Sequence, residues 1–224
     1  MNERALYRLL VWMSPAFPVG GFSYSHGLEM AVDDGRVGDR ASLEAWVAAI
    51  LAHGGARADA TLFVAASKAL ARDDADGFLW AAERASVMRG SAELARESLA
   101  QGVAFLSTLR AAWPEDALER WAARLVGAGI EPAYPIAVAL AAALAEVPLG
   151  AALSAYLQGF TANLVSAGLR LIPLGQTDGQ KILAALEMRV ADAVAAALAR
   201  PVGELGSAAP MIDLLSMRHE PQYT

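Results

Sequence analysis

A chain of 224 residues is long enough to bury a core of its own, and its 56% hydrophobic residues exclude an intrinsically disordered protein. The formal net charge of -6, without any run of like charges, argues against nucleic acid as a partner. The chain has no cysteine, which excludes a disulfide framework, a thiolate metal site and a cysteine nucleophile.

Helix-forming residues dominate the whole chain. Alternating apolar and polar residues and β-branched clusters are missing, while Ala, Leu, Glu and Arg recur at helical spacing. We therefore predict an all-α protein, a single-domain bundle of about ten helices over residues 1–200, followed by a flexible tail over 201–224. The predicted helices span 3–13, 23–34, 42–53, 58–72, 75–88, 91–112, 115–126, 134–146, 149–172 and 178–199.

Capping residues set several of these boundaries. Ser23, Ser42 and Ser91 are predicted N-caps, because serine side chains accept hydrogen bonds from the free N–H groups of a first helical turn. Thr177 and Gln180 have the spacing of a capping box at the start of the last helix. Beyond that helix the chain becomes rich in glycine, which predicts the flexible tail.

Neither the apolar centre of the chain nor its N-terminus has the pattern of a membrane or export segment. Residues 132–169 contain one charge, Glu146, but Pro135 and Pro148 interrupt the segment and polar residues are scattered through its second half. We predict buried core helices here, with a membrane-associated helical protein as the alternative. The N-terminus lacks a signal-peptide cleavage pattern, so we predict a cytoplasmic protein.

The stretch FPVGGFSYSHGLE, residues 17–29, is the most unusual in the chain. A nucleophile elbow requires G-x-S-x-G, but GFSYS has Ser25 where the last glycine belongs, and no strand is predicted before it. A hydrolase that uses His26 with Ser23 or Ser25 is therefore an unfavoured alternative.

The same stretch is better suited to recognition by another protein. Gly20 and Gly21 let the backbone turn without obstruction by a side chain. We expect the helix that follows to present Tyr24, His26 and Glu29 on its first turns, as a rigid surface that a partner contacts. The alternative is that these residues only cap and pack the helix.

A second glycine-containing stretch, PLGQTDGQK at residues 173–181, fails as a phosphate-binding loop. That motif requires G-K-[ST], whereas Gly179 is followed by Gln180. We interpret the stretch as an exposed turn between two helices, where Gln176 and Asp178 are well placed for recognition.

The histidines do not form a predicted metal site. His26, His53 and His219 are far apart in the chain, without an H-E-x-x-H motif or a pair spaced by four residues. We predict structural roles for all three histidines, and no bound metal or other cofactor.

Three blocks of sequence resemble one known family. The segment LLVWMSPAFPVGGFSYSHGLEMAVDDGRV is similar to the opening signature of the urease accessory proteins UreF, close to L-x-S-x-x-x-P-V-G-G-[FY]-[ST]-[WY]-S-x-G-L-E. RESLAQGVAFL and NLVSAGLRLIPLGQTDGQKIL follow in the family order, and MRHEPQY resembles the family terminus R-H-E-x-Q-Y. The resemblance covers essentially the whole chain.

This resemblance implies an all-helical protein that is not an enzyme. UreF proteins form homodimers, bind the accessory protein UreD or UreH through their termini and a helical face, and recruit the nickel GTPase UreG. The complex delivers nickel to apo-urease. Control of GTP hydrolysis by UreG and passage of nickel through an internal tunnel are further roles that the resemblance implies.

The resemblance also implies partner-binding residues. By analogy with the family, the stretch at residues 17–29 lies near the dimer and GTPase-facing side. The family pattern continues beyond Q-Y-[ST] whereas this sequence ends at Thr224, so we expect a shortened tail that binds UreD or UreH weakly. The implied contact residues are Gly21, Phe22, Ser23, Tyr24, Ser25, His26, Glu29, Gln176, Asp178, Arg218, His219, Gln222 and Tyr223.

Overall fold

The computed structural model describes residues 1–21 and 25–219, the last of these by its backbone alone. Across these two ranges the chain forms eleven α-helices, a short 3-10 helix after the tenth of them, and no strand, which confirms the predicted all-α bundle. The α-helices are α1 (Glu3–Trp12), α2 (Leu28–Asp33), α3 (Arg40–His53), α4 (Gly55–Leu70), α5 (Ala75–Val87), α6 (Ala92–Ala112), α7 (Asp116–Gly127), α8 (Tyr134–Leu144), α9 (Leu149–Leu171), α10 (Gln176–Ala199) and α11 (Pro210–His219). The 3-10 helix is Val202–Glu204.

The core is organised around α8. Every residue of α8 from Pro135 to Ala142 is buried, and the helix packs against α4, α6 and α9. A helix that is apolar on all sides needs such a position, because any exposed face would leave hydrophobic surface in water. The interpretation of residues 132–169 as core helices is thus confirmed. None of the helices that the structure describes has the length and apolarity needed to span a bilayer.

Close contact between α6 and the segment before α8 depends on a glycine. A Cβ atom at Gly102 would lie 2.7 Å from the carbonyl carbon of Ala133 and 2.8 Å from the backbone nitrogen of Tyr134. Real Cβ atoms do not approach other heavy atoms this closely, and backbone atoms cannot rotate away. Gly102 therefore sets the distance between α6 and the chain that leads into α8.

The structure confirms one of the predicted serine caps and corrects another. Ser91 caps α6 as predicted, since its Oγ accepts from the Leu94 N–H at 3.2 Å. The N-cap of α3, however, is Asp39, and Ser42 is the third residue of the helix. The two side chains form a reciprocal capping box, in which Asp39 Oδ1 accepts from Ser42 N at 2.8 Å and Ser42 Oγ accepts from Asp39 N at 3.1 Å.

The predicted capping box of Thr177 and Gln180 is wrong. Helix α10 begins earlier, at Gln176, with Gly175 as its N-cap. The carboxylate of Asp178 accepts a hydrogen bond from the Gly175 N–H at 3.4 Å, so an acidic side chain three residues into the helix satisfies that donor.

Helix α2 also begins later than predicted, at Leu28 instead of residue 23. Its N-cap is Gly27, which has a left-handed backbone with φ 73°. His26 has φ 50° and lies in the turn before the helix, so the prediction that it occupies a first helical turn is wrong. The predicted cap, Ser23, lies outside the described residues.

The segment predicted as a flexible tail contains helix α11. This helix packs against α2 and α6, and it buries Ile212, Leu215 and Ser216. The apolar residues recur every three positions, which gives the helix a buried face. The sequence did not predict this helix, because the surrounding segment is polar and rich in glycine. Gly27 lets α11 approach closely, since a Cβ there would lie 2.9 Å from the backbone nitrogen of Ser216.

Candidate functional site

A cavity of about 400 Å³ lies between the segment after α1 and the helices α6 and α9. Its outer wall is the partly exposed stretch of residues 13–21, together with residues 158–166 of α9. Its inner end is formed by buried side chains, among them Asp59, Arg89 and Tyr156. The cavity therefore extends from the surface into the polar interior of the bundle.

Aromatic packing and one hydrogen bond hold the glycine-containing wall of the cavity in place. Phe17 packs against Phe105 of α6 and against Trp113, with ring centroids 5.0 and 6.3 Å apart. Gly20 has a positive φ of 71°, and the carbonyl of Gly21 accepts from the Asn163 side chain at 2.8 Å. Gly20 thus provides the left-handed turn, and the hydrogen bond to Gly21 joins this stretch to α9.

His26 forms a buried ion pair inside the cavity. Its Nε2 lies 3.2 Å from Glu97 Oε1, and that oxygen also accepts from the Gln101 amide at 3.0 Å. The side chains of His26 and Glu97 are only 14% and 6% exposed. The imidazole packs edge-on against Phe160, with 4.9 Å between ring centroids. Carboxylate, imidazole and amide groups therefore meet on one side of the cavity.

The environment of His26 favours its charged form. Burial is the largest influence and lowers the pKa, because a charged imidazole loses its hydration. The Glu97 carboxylate acts in the opposite direction through its charge and its hydrogen bond, and Asp59 adds to this effect, while Arg89 opposes it. The net result is a pKa of His26 above its ordinary value of 6.5.

A second buried network closes the inner end of the cavity. Arg89 Nη1 lies 2.7 Å from Asp59 Oδ1, and Arg89 Nη2 donates to Ser98 Oγ at 2.8 Å. The hydroxyl of Tyr156 donates to the other Asp59 oxygen at 2.9 Å. Burial raises the pKa of Tyr156 well above its usual value, so this hydroxyl keeps its proton and remains a donor.

We expect His26→Gln to destabilise the protein more at mildly acidic than at alkaline pH. Since the folded pKa of His26 is raised, its stabilising contribution is complete below the unfolded value of 6.5 and is lost as pH rises through the folded value. Urea denaturation of the wild type and the variant between pH 5.5 and 9 measures the difference. His53→Gln removes an exposed imidazole and serves as the control. A His26→Gln effect that grows with pH would contradict this assignment.

The structure places only some of the predicted contact residues at this cavity. Gly21 and His26 line it, whereas Ser25 is buried beside it and Glu29 is half-buried on α2. His26 Nε2 contacts the Glu97 carboxylate, whereas Ser23, one of the two serines of the hydrolase alternative, lies outside the described residues. The described geometry thus adds no support for that alternative.

The other predicted contact residues lie outside the lining of the cavity. Gln176 is exposed at the start of α10, next to the half-buried Asp178. Arg218 is exposed on α11 and donates to Asp34 at 2.9 Å. Five predicted residues lie outside the part of the chain that is described: Phe22, Ser23, Tyr24, Gln222 and Tyr223. For His219 the structure describes the backbone but not the side chain.

Sequence reasoning missed the charged residues of the cavity. Asp59 lies on α4 within the buried stretch 58–64, two residues after Arg57. Glu97 and Gln101 are spaced by four residues on α6, so that they share a helix face. A charge in an apolar helical segment is a signal of a buried polar site. Over residues 1–21 and 25–219, no three histidine or acidic side chains are grouped closely enough to hold a metal ion.

Comparison with known proteins identifies close relatives over the whole chain. The UreF family model matches residues 37–187. The urease accessory protein UreF of Rhodopseudomonas palustris is 48% identical over 223 residues, which cover 100% of this chain and 92% of the relative. The UreF proteins of Granulibacter bethesdensis and Bradyrhizobium diazoefficiens are 46% and 45% identical, over 100% and 98% of this chain and 93% and 90% of their own length.

Proposed function

The chain belongs to the UreF family of urease accessory proteins, and we propose on this basis that it acts in the maturation of the urease nickel centre and is not itself an enzyme. The observation that carries the proposal is 48% identity to a named UreF over the full length of the chain. The matched region covers 100% of the chain, so it includes the glycine-containing wall of the cavity as well as the core.

In the proposed mechanism the chain is a cytoplasmic scaffold. It forms a homodimer and holds UreD or UreH and the GTPase UreG on apo-urease, and it modulates GTP hydrolysis by UreG. Of the predicted contact residues, Gln176 and Arg218 are exposed and suited to direct contact with a partner. His26 lies inside the cavity, where it stabilises the wall through its ion pair with Glu97. The implied partners are proteins, and neither nucleic acid nor a membrane is part of the proposal.

An apolar surface on α11 supports a partner at this end of the chain. Met211, Leu214 and Met217 are 44%, 50% and 50% exposed on the face that points away from α2 and α6. Exposed apolar side chains grouped on one helix are typical of protein contact surfaces. We assign this surface to UreD or UreH, which the resemblance places at the termini.

The cavity supports a second role, as a passage for nickel. Its His26, Glu97 and Asp59 side chains are ion-paired at rest, and they would become imidazole and carboxylate donors once an arriving cation displaces the His26 proton and Arg89. Amides of Gln101 and Asn163 adjoin them. Nitrogen and oxygen donors of this kind suit a divalent cation such as Ni²⁺. In this proposal nickel is the cargo, and the polar lining replaces part of its hydration during transit.

The first test is urease activity in cells that lack only this gene, grown with and without excess nickel. We expect activity to be lost while urease protein is still made, and to return partly when nickel is abundant, because nickel delivery is the affected step. Restoring the gene on a plasmid is the control. Unchanged activity in both media would overturn the proposed function.

The assignment of the α11 surface predicts a selective loss of binding. Leu214→Asp places a charge in the apolar surface and is expected to abolish co-purification with UreD or UreH. Val126→Asp is the matched control, because Val126 is 78% exposed on α7, a different helix. Equal retention of the partner by both variants would rule out this surface as the contact.

A further inference from the structure

We propose that Arg89 is a gate at the inner end of the cavity and that the C-terminal helix α11 holds this gate closed. The proposal rests on the short segment that joins α5 to α6, residues 88–91. One end of this segment reaches into the cavity and the other contacts α11. It concerns the fold itself and does not require that the cavity carry nickel.

Arg89 occupies a position where a side chain can block the cavity. Its guanidinium contacts Asp59 on α4 at 2.7 Å and Ser98 on α6 at 2.8 Å, and its Nε donates to the Ala85 carbonyl on α5 at 3.3 Å. The side chain is 7% exposed and forms part of the cavity wall. One side chain therefore joins three helices across the inner end of the cavity.

The next two residues of the segment are fixed by α11. Gly90 packs directly against the side chain of Asp213, with no room for a Cβ atom between them. Ser91 Oγ lies 2.7 Å from Ser216 Oγ, and both serines are buried, at 7% and 0% exposure. Because Ser91 also caps α6, its position is set from both sides.

The energetics of a buried ion pair make Arg89 suitable as a gate. The attraction between two buried charges roughly balances the cost of removing them from water, so such a pair is close to break-even. Departure of α11 would uncover Gly90 and Ser91 and leave the Ser91 hydroxyl without its buried partner. Arg89 could then exchange Asp59 for water, and this movement would open the inner end of the cavity.

The geometry of α11 suits control by a binding partner. Its inner face carries Ile212, Leu215 and Ser216, which pack on the bundle, while Leu214 and Met217 on its outer face are exposed. A protein that binds the outer face of α11 either pulls the helix away from the bundle or holds its inner face against the bundle. The inner end of the cavity would then be closed when α11 is packed on the bundle and open when α11 is released.

A reversible cross-link tests the proposal in the intact chain. Because the chain has no cysteine, Ser91→Cys combined with Ser216→Cys creates a single pair, at side chains already in contact. The measurement is hydrogen exchange of the Arg89 guanidinium by ¹⁵N NMR, in the oxidised and the reduced protein. We expect exchange at least about tenfold slower when α11 is cross-linked, because opening of the gate requires α11 to move. Equal rates in the two states, with the disulfide verified by mass, would overturn the proposal.

A pair of variants on α11 gives the converse test. Leu215→Asp places a charge on the buried face and should release α11, with loss of the slowly exchanging Arg89 signal. Val126→Asp also places aspartate at an apolar position, but on the exposed surface of α7, and should keep that signal. Persistence of the Arg89 signal in Leu215→Asp, while amides of residues 211–219 lose protection, would show that the gate is independent of α11. If Leu215→Asp does not fold, the comparison of Arg89 exchange between the oxidised and the reduced double-cysteine variant alone decides whether α11 controls the gate.

Discussion

Gly102→Ala is expected to lower the free energy of unfolding by about 3 kcal/mol, because the added methyl group has no space between α6 and the segment before α8. The obstructing atoms belong to the backbone of Ala133 and Tyr134, so no side-chain rotation can relieve the overlap. Urea denaturation followed by circular dichroism measures the change. We expect the folded variant to keep its helical content, since the strain falls on packing between helices.

Gly127→Ala is the matched control for this substitution. Gly127 is also helical, at the end of α7, and a Cβ there would meet no heavy atom within 4 Å. The expected change is within about 1 kcal/mol and favours stability, since alanine loses less backbone entropy than glycine in a helix. Similar effects of the two substitutions would mean that α6 and α8 can separate at little cost.

Arg89→Met is expected to cost about 3–5 kcal/mol, because it leaves the buried carboxylate of Asp59 without its cation. Replacing both partners, by Asp59→Leu together with Arg89→Met, should recover most of that loss. The coupling free energy from a double-mutant cycle in urea measures the difference. Additive effects of the two substitutions would show that the residues do not act as a pair.

The exposed pair of Arg110 and Glu119 is the control for this cycle. These side chains contact each other at 2.5 Å, closer than the 2.7 Å between Arg89 and Asp59, but both are 47% exposed. Water already solvates both charges, so Arg110→Met should leave the denaturation midpoint nearly unchanged. The comparison separates the effect of burial from the effect of the contact itself.

Helical periodicity was sufficient to predict the fold class and the position of most helices. The continuous apolar residues of α8 predicted its burial, because such a helix is stable only when it is covered on all sides. Serine at position 91 predicted a cap correctly, since that interaction is local. Family membership was predicted from motifs at both ends of the chain.

Long-range contacts explain what the sequence could not predict. The role of Asp59 depends on Arg89 and Tyr156, which lie far from it along the chain, and periodicity contains no information on such pairs. The late start of α2 depends on Gly27, whose left-handed backbone and close approach to α11 are two separate reasons for a glycine at this position. The predicted partner contacts stay predictions, because they concern surfaces that only a complex would bury.

The close packing of Gly27 against α11 has a consequence for the order of folding. The hydrogen bond between Asp34 and Arg218 joins residues 184 positions apart, whereas each helix forms from neighbours within a few residues. Closing so long a loop is entropically costly until the intervening helices have already brought its ends together. We therefore expect α2 to pair with α11 late in folding, so that the apolar face that includes Leu28, fully buried in the native bundle, is covered among the last.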